Sequence, residues 1–276
     1  MIGTLVAAAA VVVQLAGGTQ FLFRVSRSDL RPPPAALTLG MPLGACMGVV
    51  GLGLGLEAGE PRIPLVLLSG TTLVWAAVAY GVHRQRRIPR NVLQVDVGEP
   101  MLAFSARTPE DDRFDSSALA GRRVLLKFFR GEWCPFCQAE LKRFEALRPE
   151  LEAHGVEIVA ISKDTPEAAH HHRERDGLGF TVLCDPDLTV IRRFGVEHHK
   201  ALEISGRRRF SVFGIELGSA PGFRTMAIPT TLLVDEQGIV RWIDQTDDYM
   251  VRSSVERVLT AVTECLEPRS APMSTG

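Results

Sequence analysis

The chain has 276 residues, 46% of them hydrophobic, five cysteines and a formal charge of −1. That length leaves room for one soluble domain plus a second segment, and the near-neutral balance argues against nucleic acid as the main partner, since such binding rests on clustered positive charge. Only Cys134 and Cys137 are closely spaced, which excludes a secreted disulfide framework and allows a reducing compartment.

The apolar excess sits at the front. Ile2–Phe23, Ala35–Leu56 and Ile63–Val82 carry no charged residue over 22, 22 and 20 positions, and about 20 apolar residues cross a bilayer. Residues 1–83 therefore read as a membrane anchor of three transmembrane helices (about 2–23, 35–56 and 63–82). A cleaved signal peptide is the competing reading of the first stretch, with small residues near Ala16–Gly18, but the chain opens without Lys or Arg. Residues 1–90 hold eight arginines against three acids, a net +5 that leaves −6 for residues 91–276. Arg24, Arg27 and Arg31 follow the first stretch, and Arg84, Arg86, Arg87 and Arg90 follow the third. The positive-inside rule then puts the N-terminus outside and residues 84 onward in the cytoplasm, in a multi-pass protein of the cell membrane. Gly40, Gly44 and Gly48 recur every four residues, followed by Gly51 and Gly55; such spacing lets helices pack backbone to backbone, here on one another. Cys46 stands alone in its span, so the helices read as an anchor, not an electron conduit.

Residues 84–91 form a basic linker with Pro89, and the soluble domain is expected over 92–267, with a disordered polar tail at 268–276. Phe104–Arg113 is polar and turn-rich. Val124–Phe129 is a short apolar run of the buried-strand type, and Gln138–Leu147 has helical spacing of Leu141, Phe144 and Leu147. Cys134 and Cys137 thus fall at a strand-to-helix junction. Three residues apart on a first helical turn, they come within disulfide range of roughly 5.5 Å between Cα atoms. Unpaired N–H groups at a helix start stabilise a thiolate, Arg130 adds positive charge and Glu132 opposes it, which makes Cys134 the expected nucleophile and Cys137 the resolving thiol.

Val156–Ser162 is a second buried strand, Thr165–Arg175 a helix with Pro166 at its first position, Thr181–Leu183 a short strand and Leu188–Phe194 a short helix. His170–His172 read as a solvated helix face and Arg207–Arg209 as a solvated loop. His199–Thr225 is the least readable stretch, a loop or hairpin. Thr231–Asp235 and Ile239–Ile243 form a hairpin about Glu236–Gly238, and Val251–Leu266 is a closing helix. Strands alternating with helices, then a hairpin and a helix, describe an α/β sandwich around a mixed sheet. Half a zinc site is the alternative use of the cysteine pair, but neither Cys184 nor Cys265 is paired in sequence to complete it.

FFRGEWCPFCQAEL, VAISKDTPEAAHHHR, FTVLCDPDLTVIRRFGV and IPTTLLVDEQGIVRWI, in that order, resemble the peroxiredoxin-like branch of the alkyl hydroperoxide reductase and thiol-specific antioxidant (AhpC/TSA) family over roughly residues 92–266. The resemblance implies a thioredoxin-like, peroxiredoxin-like mixed sheet flanked by helices. It also implies thiol chemistry on peroxides or disulfides with no bound cofactor or metal, recycled by an external dithiol reductant, thioredoxin-like or glutathione-like. Two departures stand out. The family carries Thr or Ser three residues before its reactive cysteine, where this chain has Gly131. It carries an Arg just before the strand matched by Thr231–Asp235, where Pro229 stands here. Ile228, Pro229 and Thr230 resemble instead the thioredoxin-type proline segment, held cis, whose backbone pairs with a substrate chain; with Trp133 and Pro135 they make the expected substrate groove. Arg130, Glu140 and Lys127 are candidates to assist proton transfer. The expectation is a membrane-anchored thiol oxidoreductase; the alternative is a non-catalytic membrane-tethered redox-sensing or interaction module.

Overall fold

The computed structural model describes residues 1–27, 35–84, 86–88, 93–245 and 247–266. Arg31, half of the linker (85 and 89–91), the expected domain start at Val92 and the tail lie outside these residues. The chain divides into two compact units, one of Met1–Arg86 with Val212–Gly214 and the other of the remaining described residues.

The first unit holds three helices long and apolar enough to cross a membrane: α1 (Ile2–Ser26), α2 (Ala35–Glu57) and α3 (Arg62–Arg84). Their packing uses the glycines of α2. A Cβ on Gly51 would lie 2.8 Å from the Gly3 carbonyl oxygen, and one on Gly55 would lie 2.6 Å from Leu65 Cδ2. Any larger residue would force the helices apart. The same seam buries Gln14, whose Nε2 donates to the carbonyls of Met41 (3.1 Å) and Thr72 (3.0 Å) and so ties all three helices. Glu60, from the turn between α2 and α3, accepts the otherwise free N–H groups of Gly3 and Thr4 at the start of α1, both at 2.9 Å.

The second unit is built on a seven-stranded mixed sheet. Its strands are β1 (Ser105–Arg107), β2 (Arg113–Asp115), β3 (Arg123–Phe128), β4 (Val156–Ser162), β5 (Thr181–Cys184), β8 (Thr230–Val234) and β9 (Val240–Gln245), in the order β2-β1-β5-β4-β3-β8-β9. β3 and β4 pair parallel, as do β4 and β5, while β8 runs antiparallel to both β3 and β9. Every residue of β3 is buried, so this central strand is covered on both faces and reads as a continuous apolar run interrupted by Lys127. The helices are α4 (Pro135–Ala153), α5 (Pro166–Asp176), α6 (Thr189–Arg193) and α7 (Val255–Cys265). α5 begins where Thr165 accepts the N–H of Ala168 and ends on Gly177 in the left-handed conformation.

Three sequence readings change, and the alternative of loop or hairpin around 199–225 is decided for the hairpin. The stretch around 199–225 is a long two-stranded hairpin, β6 (Glu197–Val212) with β7 (Ile215–Ala227), paired apart from the main sheet. Arg207–Arg209 therefore lies in strand, and Arg209 is ion-paired to Glu132 at 2.6 Å. His172 is fully buried, edge-on to Phe129 with ring centroids 5.7 Å apart, while His170 and His171 stay on the solvent side. No cis peptide bond occurs among the described residues. The expected cis Pro229 is corrected to trans: the chain runs from β7 straight into β8, which starts one residue later, and the Ile228 N–H is taken by the Val196 carbonyl.

Candidate active site

β3 delivers the chain to the site, and a tight loop turns it into α4. Phe129 N–H still bonds the Ile161 carbonyl at 3.0 Å, continuing the β3–β4 pairing, and the chain then reverses at Gly131 with φ +145°. That conformation favours glycine, and the space demands it too: a Cβ there would lie 2.7 Å from Asp164 Oδ1 and 2.8 Å from Trp133 Nε1. The Thr or Ser of the family pattern has no room at this position. Asp164 pins the loop by accepting from the Glu132 N–H and the Ser162 hydroxyl, both at 2.8 Å. Burial pushes its carboxyl up to about 6.

Cys134 is the N-cap of α4 and Pro135 its first residue, a position where proline costs no hydrogen bond. The Cys137 N–H donates to the Cys134 carbonyl at 3.0 Å, closing the first turn. Both cysteines are free thiols, buried to 1% and 0% exposure, and the Cys134 thiol hydrogen-bonds the Cys137 sulfur. Trp133 beside them is also buried, with the Arg130 guanidinium 5.1 Å over its ring and 4.1 Å over that of Tyr249. Arg130 further donates to the Leu202 carbonyl of β6 at 2.8 Å.

Beneath the pair lies a buried ionic chain. Lys127 Nζ meets Glu140 Oε1 at 2.7 Å and donates to Thr231 Oγ1 at 3.1 Å; Arg252 Nε meets Glu140 Oε2 at 2.7 Å and its Nη2 reaches Cys137 Sγ at 3.9 Å. The structure brings Lys127 and Glu140 together, and Arg252 stands between Glu140 and the sulfur. The cations hold the Glu140 carboxyl below its ordinary value against its burial. Burial, the hydrogen bond to Cys137 and that sulfur's charge push Cys134 well up. Burial acts on Cys137 too, but its contact with Cys134, Arg252 and the Arg130 backbone N–H pull it down.

Sequence reading missed four participants. Arg252 was placed inside the closing helix, but α7 starts at Val255 with Ser254 as its cap, which frees Arg252 to turn inward. Gln138 clamps the hairpin, donating to the Glu216 carbonyl at 2.9 Å and accepting the Glu216 N–H at 3.2 Å. Glu216 is the third, converging there with His171 and with Glu132, and the charge the two acids call for is supplied by Arg175, 3.0 Å from Glu216, and Arg209. Asp164 is the fourth. A polar residue just after a strand end and a lone Arg within an otherwise uncharged YMVRSS stretch were the available signals. The segment read as a groove is closed: Ile228, Pro229 and Thr230 are all buried, and Thr230 Oγ1 donates to the Ile228 carbonyl at 3.1 Å. Cys184 is buried and its thiol is pushed up to about 12 by burial and nearby carboxylates.

Residues 97–243 match the model of the AhpC/TSA family. A Coxiella burnetii protein that carries the peroxiredoxin name bcp is 29% identical over 150 residues, 54% of this chain and 87% of that one. The thiol-disulfide oxidoreductase ResA of Halalkalibacterium halodurans is 33% identical over 130 residues, 47% of this chain and 72% of that one. Among solved structures, a peroxiredoxin-like protein from Aquifex aeolicus superposes with a TM-score of 0.50 at 16% identity, covering 65% of this chain and 99% of that one. The last likeness speaks for the fold alone.

Proposed function

From the premise that the chain belongs to the AhpC/TSA family of peroxiredoxin-like oxidoreductases, we propose that it is a membrane-anchored enzyme whose Cys134–Cys137 dithiol reduces a peroxide or a disulfide. The pair becomes a disulfide in the process, and an external dithiol donor of thioredoxin-like or glutathione-like type restores it by thiol–disulfide exchange. Residues 1–83 are the anchor, and the arginines after α1 and α3 place the redox domain on the cytoplasmic side.

The observation that carries this reading is the geometry of the CPFC turn: two free thiols on the first turn of α4, hydrogen-bonded to each other and excluded from solvent. Residues three apart on such a turn form a disulfide with little backbone movement. The relatives' names favour turnover over a purely sensing module. The test uses the full-length chain in detergent with a thioredoxin-type reductant, hydrogen peroxide in one arm and a protein disulfide in the other. Turnover is expected in at least one arm and its loss in Cys134→Ser and in Cys137→Ser. Turnover in neither arm overturns the enzymatic reading.

A further inference from the structure

The β6–β7 hairpin ends in an apex whose charge and polarity differ from those of the domain that carries it. Residues 204–215 hold Arg207, Arg208 and Arg209 and no acid, a local +3. Residues 91–276 sum to −6, so the rest of that stretch carries −9. Beside the arginines the apex shows two aromatic rings to the outside, Phe210 and Phe213, each 51% exposed. Arg208 is exposed as well, whereas Arg209 is held back by Glu132.

The turn is built around a ring that its backbone disfavours. β6 ends at Val212 and β7 starts at Ile215, so Phe213 and Gly214 are the two turn residues, with φ +52° and +76°. Such a turn takes Asn-Gly or Gly-Gly most readily, because both positions need a left-handed backbone that a bulky residue adopts only at a cost. Half of the Phe213 surface stays exposed, so burial offsets little of that cost. A ring held at an apex against its backbone preference marks a contact surface.

We propose that the apex of the β6–β7 hairpin docks on the anionic headgroup region of the bilayer, with Phe210 and Phe213 in the interface and Arg208 against lipid phosphates. The proposal rests on residues 1–83 spanning that bilayer. Aromatic rings beside basic side chains suit this surface, since the rings enter the boundary between headgroups and acyl chains while the cations meet anionic lipid. A second copy of the chain fits badly, because a symmetric contact would bring one +3 apex onto another. Val212–Gly214 also belong to the same compact unit as the three apolar helices. The second unit begins at Arg87, three residues after α3 ends, which is at most about 11 Å of chain. So short a tether gives the apex a high effective concentration at the bilayer, and weak contacts suffice to hold it there.

Docking would also orient the redox site. Gln138, the residue after Cys137, exchanges two hydrogen bonds with Glu216. Gly214 stands two residues before Glu216, roughly 7 Å along the strand. An apex seated in the interface therefore holds the CPFC turn near the membrane surface in one orientation.

The test uses the full-length chain with its own cysteines replaced by serine and Ser211→Cys carrying the fluorophore NBD. It is placed in lipid nanodiscs of phosphatidylcholine with or without phosphatidylglycerol. The expected label is blue-shifted, quenched by lipids bearing a nitroxide near the headgroup and protected from iodide, more strongly with phosphatidylglycerol. Arg208→Gln is expected to lower the ratio of docked to undocked apex roughly fivefold. Phe213→Gly relieves the turn and removes the ring, so it is expected to return the label to water while hydrogen exchange shows β6 and β7 still paired. A label open to iodide in the parent chain, or still docked in Phe213→Gly, overturns the proposal. Protection from both quenchers means that protein covers the apex, and equal docking on both lipids removes the anionic surface; either result overturns it too. Alkaline carbonate extraction of the same chain from vesicles reads the anchor separately. A chain that resists extraction while its label stays in water keeps the anchor and loses the docking. A chain that is extracted loses both.

Discussion

Gly131 carries two constraints at once, a φ of +145° and Asp164 and Trp133 atoms within 3 Å of where a side chain would begin. Gly131→Ala therefore strains the backbone and displaces the loop that Asp164 pins, which together cost about 2 to 4 kcal/mol. Urea unfolding of the variant beside the wild type measures this, and a loss under 0.5 kcal/mol would contradict the geometry. Such a glycine was legible in the sequence only as a departure from the family's Thr or Ser. Its cause could not be read there, because the atoms that fill the space come from Asp164, more than thirty positions along. Cys134 and Cys137 were legible as a pair from spacing alone. The contact of Cys137 with Arg252 was not, since sequence places that residue more than a hundred positions away.

At the scale of elements, the β6–β7 hairpin covers the start of α4. Gln138 exchanges two hydrogen bonds with Glu216 of β7, Arg209 of β6 pairs with Glu132, and Arg130 donates to Leu202. Each such bond contributes about 1 kcal/mol net, which is roughly a fivefold change in an opening equilibrium. Arg209→Ala is thus expected to raise the alkylation rate of the CPFC pair by iodoacetamide about fivefold at fixed pH, with the thiolate midpoint unchanged. An unchanged rate would mean that the hairpin does not gate the site. The hairpin was the one element that resisted reading: its glycines at 206, 214, 218 and 222 break the alternation that marks a strand, and its cross-strand pairs are not with a neighbouring apolar run. β3, β4, β5 and the β8–β9 hairpin were readable because burial on both faces gives short, unbroken apolar runs bounded by turns. Their ends moved by only one or two residues.

At the scale of the whole chain, three apolar helices precede a domain of peroxiredoxin-like fold. The proposed orientation predicts that a single cysteine introduced at Arg86, in a chain with its own cysteines replaced, is shielded from a membrane-impermeant maleimide in intact cells and labelled once the membrane is opened. Ready labelling from outside would reverse the orientation. The sequence by itself determined what depends on neighbours along the chain: three uncharged apolar stretches, the strand and helix periodicities, the cysteine spacing and the order of family motifs. Only the tertiary structure decided that Arg252 brings a guanidinium beneath the cysteines, that Pro229 is trans and that the hairpin packs on the start of α4. These are properties of a low-dielectric space shared by β3, α4, the hairpin and the segment before α7, where Lys127, Glu140 and Arg252 are buried together beneath the CPFC pair. No local pattern in the sequence records which residues will be buried together.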